Sequence, residues 1–210
     1  MAVFTPVSLA QAKGFLAGYD IGEVVELTAI AEGVENTNYR LDTIQDGAAR
    51  RFVLTLFEGR TDEASLPFCL GLTAHLASRG FACPTPIENR TGDWLGRLNG
   101  RAAAVIEWKT GAWLRTPSSA DQAAAGAVLA RLHLTAADFD LKRVNPVGPA
   151  MWRRLADRCA QGASGEDRLL LDQVEAALAR LGDPFTDDLP RGAIHADYFP
   201  DNVLFQGGAV

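Results

Sequence analysis

Apolar positions along the chain alternate between two periods. From Ser8 to Gly18 they fall at Leu9, Ala12, Phe15 and Leu16, one face of a helix, with Ser8 placed to cap it. From Glu23 to Ala31 the run alternates and is rich in Val, Leu and Ile, which predicts a strand. Tyr39 to Ile44 and Arg51 to Phe57 are two more strand candidates, joined through Asp46-Gly47, a hairpin turn pair. Gly33 to Asn38 is a polar, turn-rich break before them. The first part of the chain therefore reads as an antiparallel meander.

Helical spacing returns at Ser65 to Arg79, with Ser65 at the cap position, Pro67 in the first turn and Gly80 after the end. Leu66, Cys69, Leu70, Thr73, Leu76 and Ala77 form its apolar stripe. Pro84 and Pro86 mark an extended connector, and Trp94–Leu98 with Arg101–Trp108 reads as a second hairpin around Asn99-Gly100. Beyond Lys109-Thr110-Gly111 the pattern is mainly helical: Ser119–Ala137, Met151–Ala160 and Asp167–Leu181. Two short strands, ending at Ile194 and running Val203–Phe205, are expected near the C-terminus. The fold class that follows is α+β. It has two lobes, a small antiparallel β lobe over 1–108 and a mainly helical lobe over 109–210.

Between the last two strands stands Ile194-His195-Ala196-Asp197-Tyr198-Phe199-Pro200-Asp201-Asn202-Val203. The spacing H-x-D-x-x-x-x-N is that of a kinase catalytic loop. There an Asp orients a hydroxyl and takes its proton, and an Asn presents its amide oxygen to a metal ion. Those roles fall on Asp197 and Asn202, with Asn202 the metal ligand and His195 a structural member that hydrogen-bonds the loop backbone. Three fixed residues in eight recur by chance. Here apolar Ala193-Ile194 and Val203-Leu204-Phe205 flank the polar pair, as a loop pinched between strands requires. The turn Gly33-Val34-Glu35-Asn36-Thr37-Asn38 is the candidate cover for nucleotide phosphates, through its backbone N–H groups.

Charge and composition narrow the partners. Net charge is −6 and pI about 5.1, which gives no electrostatic footprint for nucleic acid or an anionic membrane. No apolar run approaches the length of a membrane span, and Met1–Pro6 lacks the basic flank and apolar core of a signal peptide, so the expected compartment is the cytoplasm. Cys69, Cys83 and Cys159 are scattered and odd in number, with no Cys-x-x-Cys, which points to reduced, buried or half-buried thiols rather than a zinc or disulfide framework. His133, at the end of an apolar helical stretch, is expected to be buried. The basic residues are 17 Arg and only 3 Lys, at Lys13, Lys109 and Lys142.

Four segments together resemble one family. They are Gly33-Val34-Glu35-Asn36-Thr37-Asn38-Tyr39, Phe52-Val53-Leu54-Thr55-Leu56-Phe57-Glu58, Leu129-Ala130-Arg131-Leu132-His133, and Ile194 through Phe205. With the opening Val3-Phe4-Thr5-Pro6-Val7, they are similar to bacterial homoserine kinases of the type built on the aminoglycoside phosphotransferase and choline kinase fold. The resemblance implies ATP and Mg²⁺ as cofactors and L-homoserine as a small-molecule substrate, phosphorylated to O-phospho-L-homoserine in threonine synthesis. It also implies that Gly33–Asn38 binds nucleotide and that Glu107 and Trp108 form the hinge against adenine. Thr55 then stands where protein kinases carry a phosphate-contacting lysine. The source of positive charge is left open among Arg40, Arg51 and Arg60.

Other readings are a different hydroxyl kinase of this fold, acting on an aminoglycoside, choline or a sugar, and a non-catalytic nucleotide-binding fragment. The family's unit continues past Gln206–Val210 into a strand with a second metal-binding Asp. The expectation is therefore that the chain as written has little or no kinase activity.

Overall fold

In the computed structural model, residues 3–31, 35–59, 62–182, 184 and 188–210 are described. They divide into two compact units: residues 1–141 together with 192–210, and residues 142–191.

The first unit is organised by an antiparallel sheet. Its strands are β1 (Glu23–Ala29), β2 (Thr37–Gln45), β3 (Ala48–Phe57), β4 (Pro86–Ile87), β5 (Gly96–Leu98) and β6 (Arg101–Glu107). The order across the sheet is β1-β2-β3-β6-β4, with β5 also on β6. Both predicted hairpins form. Asp46 and Gly47 have φ of 51° and 78°, and Asn99 and Gly100 have 50° and 79°, the paired left-handed residues of a tight two-residue turn. The β2–β3 register runs unbroken from Gln45↔Ala48 to Thr37↔Leu56. Strand β2 thus starts two residues earlier than expected and takes in Thr37 and Asn38.

Alternation decides the two faces of this sheet. Tyr39, Leu41, Phe52, Leu54, Leu56, Ala103 and Val105 are buried in one core, with Ala12 and Leu16 of helix α1 (Leu9–Leu16) and with Val7, Tyr19 and Ile21. Helix α1 starts as expected, with Ser8 and Gln11 forming a reciprocal capping box. The chain segments that cross this face are tied to the polar residues on it. Phe4 and Thr5 donate their N–H groups to Thr37 Oγ1 (2.9 and 3.1 Å), and Val7 donates to the Tyr39 hydroxyl (2.9 Å). Thr43 Oγ1 donates to the Ile21 carbonyl (2.6 Å). The opposite face carries Asn38, Arg40, Asp42, Arg51, Val53 and Thr55.

Helix α2 (Leu66–Ser78) follows a 3₁₀ turn at Glu63–Ser65, and helix α3 is Ser119–Thr135. Ser65 sits at the cap position but makes no capping bond, because its hydroxyl donates back to the Asp62 carbonyl (2.7 Å). Cys69 lies outside the buried stripe and is exposed, since the helix turns Leu66, Leu70, Gly71 and Leu76 inward instead. A second core joins Leu76, Phe81, Leu132 and Ala136, with Ala193 packed against it. His133 is exposed rather than buried, because the buried face of α3 passes through its neighbour Leu132.

The second unit is a helix pair, α4 (Pro149–Ala160) and α5 (Glu166–Leu181). The short strands expected around the His195–Asn202 loop do not form. Phe205 makes a single antiparallel bridge to Ala112, and Gln206 bridges Ala209 across a Gly207-Gly208 turn. A ladder needs a run of paired residues, and these segments offer one pair each. Among the described residues no helix is long and apolar enough to cross a membrane.

Candidate functional site

The His195–Asn202 loop is closed on itself by its own polar ends. Asn202 Nδ2 donates to the Asp197 carbonyl (2.8 Å) and to Asp197 Oδ2 (3.1 Å). The 3₁₀ turn Pro200–Asn202 brings Asn202 back over Asp197, and Ala196 adopts a left-handed φ of 63° to start the reversal. An Asn can serve both partners with one NH₂ group, which leaves its Oδ1 free to turn elsewhere. Asp197 and Asn202 are both exposed. His195 does not hydrogen-bond the loop backbone; its ring packs edge-on against Tyr198, centroids 5.2 Å apart. The structure thus corrects how His195 supports the loop, through an aromatic contact rather than a polar one.

Tyr198 is the loop's attachment to the helical core. Its hydroxyl donates to the Ala125 carbonyl of α3 (3.2 Å), and burial pushes its phenol up from the usual value. Beneath it lies a cavity of about 240 Å³ lined by Leu114, Pro117, Gln122, Ala125, Tyr198 and Val203. The returning segment is fixed by reciprocal backbone bonds between Ala112 and Phe205 (3.0 and 2.9 Å). Bringing 198 and 205 to 125 and 112 is long-range packing, and the sequence carries no local signal for it beyond a Tyr inside the motif.

The second cluster lies where β2 begins and β3 ends. Gly33 and Val34 of the predicted nucleotide turn lie outside the described residues, as does Arg60. Glu35 is exposed. Asn36, Thr37 and Asn38 are each tied to β3 or its extension. Asn36 Oδ1 accepts from the Glu58 N–H (3.2 Å), Thr37 Oγ1 donates to Glu58 Oε1 (2.7 Å), and Asn38 Oδ1 accepts from Thr55 Oγ1 (2.8 Å). Glu58 is 7% exposed, and its Oε2 accepts from Thr5 Oγ1 (3.1 Å) and pairs with Arg101 Nε (3.0 Å). A carboxylate buried at the end of an apolar strand costs several kcal/mol unless such partners surround it. Glu58, the acid just past Phe57, meets that requirement through partners that the local sequence pattern does not single out.

The cations of the outer face are already paired. Arg40 binds Glu26 (3.1 Å) and Asp42 (2.8 Å), and Arg51 binds Asp42 (2.6 Å) while its guanidinium lies over the Trp108 ring, 5.4 Å from the centroid. Burial alone would raise the Asp42 carboxyl, but hydrogen bonds from Arg51 and Arg40 outweigh it and hold it below the usual carboxylate range. Lys109 pairs with Glu107 (2.7 Å), and Lys13 with Glu23 (4.0 Å). Glu107 also donates its N–H to the Thr85 carbonyl (2.8 Å).

Among the described residues no three His, Cys, Asp or Glu side chains gather as a metal cluster. The Asp197 carboxylate and the Asn202 amide oxygen are hard oxygen donors. A Mg²⁺ ion held through one or two protein oxygens, with phosphates and water completing its shell, fits that donor set.

The profile of the phosphotransferase enzyme family matches residues 26–210. A homoserine kinase of Nitrobacter winogradskyi is 45% identical over 207 residues, and one of Rhodopseudomonas palustris is 46% identical over 207. Each alignment covers 99% of this chain and 62% of the relative, so the chain spans less than two thirds of the length of these relatives. Among solved structures, a spectinomycin phosphotransferase in complex with ADP and spectinomycin matches 97% of this chain and 67% of its own, at TM-score 0.63 and 15% identity. Choline kinase of Cryptosporidium parvum matches 86% of this chain and 54% of its own, at TM-score 0.57 and 14% identity. These two similarities establish the fold.

Proposed function

The chain belongs to the phosphotransferase enzyme family, and from that premise we propose that it is the part of a homoserine kinase that carries the catalytic loop. The reaction is transfer of the γ-phosphoryl group of ATP to the hydroxyl of L-homoserine, giving O-phospho-L-homoserine and ADP. The observation that carries this reading is the 45% identity to homoserine kinases over 99% of the chain. The substrate is a small molecule, and the compartment is the cytoplasm. Residues 1–108 act as the nucleotide lobe and residues 109–210 carry the catalytic loop.

Phosphoryl transfer asks a protein for positioning and charge rather than covalent chemistry. Asp197 orients the acceptor hydroxyl and takes its proton at a carboxylate oxygen. Asn202 holds that carboxylate through Nδ2 and would hold a Mg²⁺ ion through Oδ1. His195 steadies Tyr198, and Tyr198 keeps the loop on α3. Gly33 to Asn38 covers the nucleotide phosphates, with Thr55 beneath Asn38, and Glu107 and Trp108 border the base. When bound, Mg-ATP supplies the phosphoryl group and the positive charge that offsets the phosphates.

The test is ADP release from Mg-ATP with L-homoserine, on this chain and on a version carried to the relatives' full length. The expected result is turnover of homoserine by the full-length protein, with a loss of about 10²-fold or more in Asp197→Asn. Turnover of choline or an aminoglycoside but not of homoserine would overturn the substrate assignment.

A further inference from the structure

We infer that Glu58 is a positioning residue for the nucleotide site, acting through Asn36 and Thr37. The inference rests on the reading of Asn36–Asn38 as the trailing edge of the nucleotide turn.

Three consecutive side chains at the start of β2 are held, and Glu58 holds two of them. Its backbone N–H fixes Asn36 and its carboxylate fixes Thr37, while Thr55 fixes Asn38. The grip reaches further. The same carboxylate takes the Thr5 hydroxyl, and Thr37 Oγ1 takes the N–H groups of Phe4 and Thr5. The N-terminal segment, the start of β2 and the end of β3 thus meet at one buried acid. Fixing Asn36 and Thr37 therefore fixes the described trailing end of that turn, where β2 begins.

The charge arrangement suits a phosphate site. A bare carboxylate beside a turn that receives phosphates would repel them. Arg101 lies 3.0 Å from Glu58 Oε2 and offsets that charge. A neutral residue with only one polar atom cannot serve two hydroxyls and a guanidinium at once, whereas the two oxygens of a carboxylate can.

The experiment uses the full-length protein and three variants, Glu58→Ala, Glu58→Gln and Thr5→Val. It reads the Kd for Mg-ADP by calorimetry, KM for ATP and for homoserine, kcat, and Tm. Glu58→Ala leaves Thr37 and Thr5 without their acceptor, and ADP binding is expected to weaken about tenfold. KM for homoserine and kcat are expected to stay within about twofold, the split that marks a loss confined to one substrate. Glu58→Gln keeps the shape and one acceptor but sets an NH₂ donor against donors, and is expected to recover binding only in part, to about three- to fivefold weaker than wild type. Thr5→Val removes one donor from the periphery and decides the matter if Glu58→Ala does not fold; its expected loss is about threefold. An unchanged Kd for ADP in folded variants would overturn the inference. So would an equal fall in every kinetic constant with a lowered Tm, the mark of a purely structural role. If wild type binds ADP and the variants weaken it, yet homoserine is not turned over, the substrate assignment fails and the role of Glu58 stands. Wild type that binds no ADP would overturn both.

Discussion

Thr37→Val tests whether the buried polar cluster at the start of β2 holds the fold as well as the turn. Valine matches threonine closely in volume, so packing around this fully buried residue changes little. What changes is hydrogen bonding. The N–H groups of Phe4 and Thr5 lose their acceptor, and Glu58 Oε1 loses a donor. The two N–H groups are part-buried and recover some water, at about 1 kcal/mol each. The carboxylate is the larger loss, about 1–2 kcal/mol, which brings the expected destabilisation to about 3–4 kcal/mol. That is a large share of the roughly 5–15 kcal/mol that separates folded from unfolded domains. The assay is urea unfolding followed by circular dichroism, with a lowered midpoint and an unchanged slope expected. Because a lone unpaired partner costs more than removing both, Thr37→Val/Glu58→Leu should lose less than the sum of the single variants, by about 1–2 kcal/mol. A loss below about 1 kcal/mol in Thr37→Val, or strict additivity in the double variant, would refute the claim that these groups depend on each other for solvation.

Gly22 has φ of +85°, and a Cβ there would stand 2.3 Å from the Ile44 carbonyl oxygen, so Gly22→Ala should cost about 3 kcal/mol or more by the same unfolding assay. Gly14 sits inside α1 with no atom within 4 Å of an added Cβ, and Gly14→Ala should raise stability by about 0.5–1 kcal/mol. Asp42 titrates below the usual carboxylate range when folded, so its stabilising effect is present above the unfolded-state pKa and fades as pH falls through the folded value. Asp42→Asn should therefore be the less stable protein at neutral pH, by about 1 kcal/mol or less given its partial exposure, and should match wild type in acid, as thermal melts across pH would report. Asn202→Leu removes both bonds to Asp197 and should lower kcat by about 10²-fold or more in the homoserine assay, with little change in Tm.

The β elements were legible because their signals are local. Asp46-Gly47 and Asn99-Gly100 named the turns, and alternation through Tyr39–Ile44 and Arg51–Phe57 named the inward face. The loop residues Asp197 and Asn202 were legible from spacing, and the structure joins them by direct hydrogen bonds. What sequence did not yield is what depends on distant partners. Glu58 reads as an ordinary polar end to an apolar run until Thr5, Thr37 and Arg101 are seen around it. His133 and Cys69 fit an apolar pattern by position, but the facing elements select Leu132, Leu70 and Gly71 instead. The flanking strands of the loop failed for the same reason, since a strand is decided by its partner as much as by its own residues. Arg40 and Arg51 looked available as phosphate cations, yet Asp42 lies between them in the fold and takes both.

The chain leaves the first unit at Lys142 and comes back at Gly192, and the Asp197 loop is held there by Ala112 and Ala125. The intervening segment behaves as an insertion whose ends are fixed. Closing such a segment depends only weakly on its length, about 0.6 kcal/mol for each doubling. The entropy of closing residues 142–191 is therefore a weak constraint on how long that stretch is.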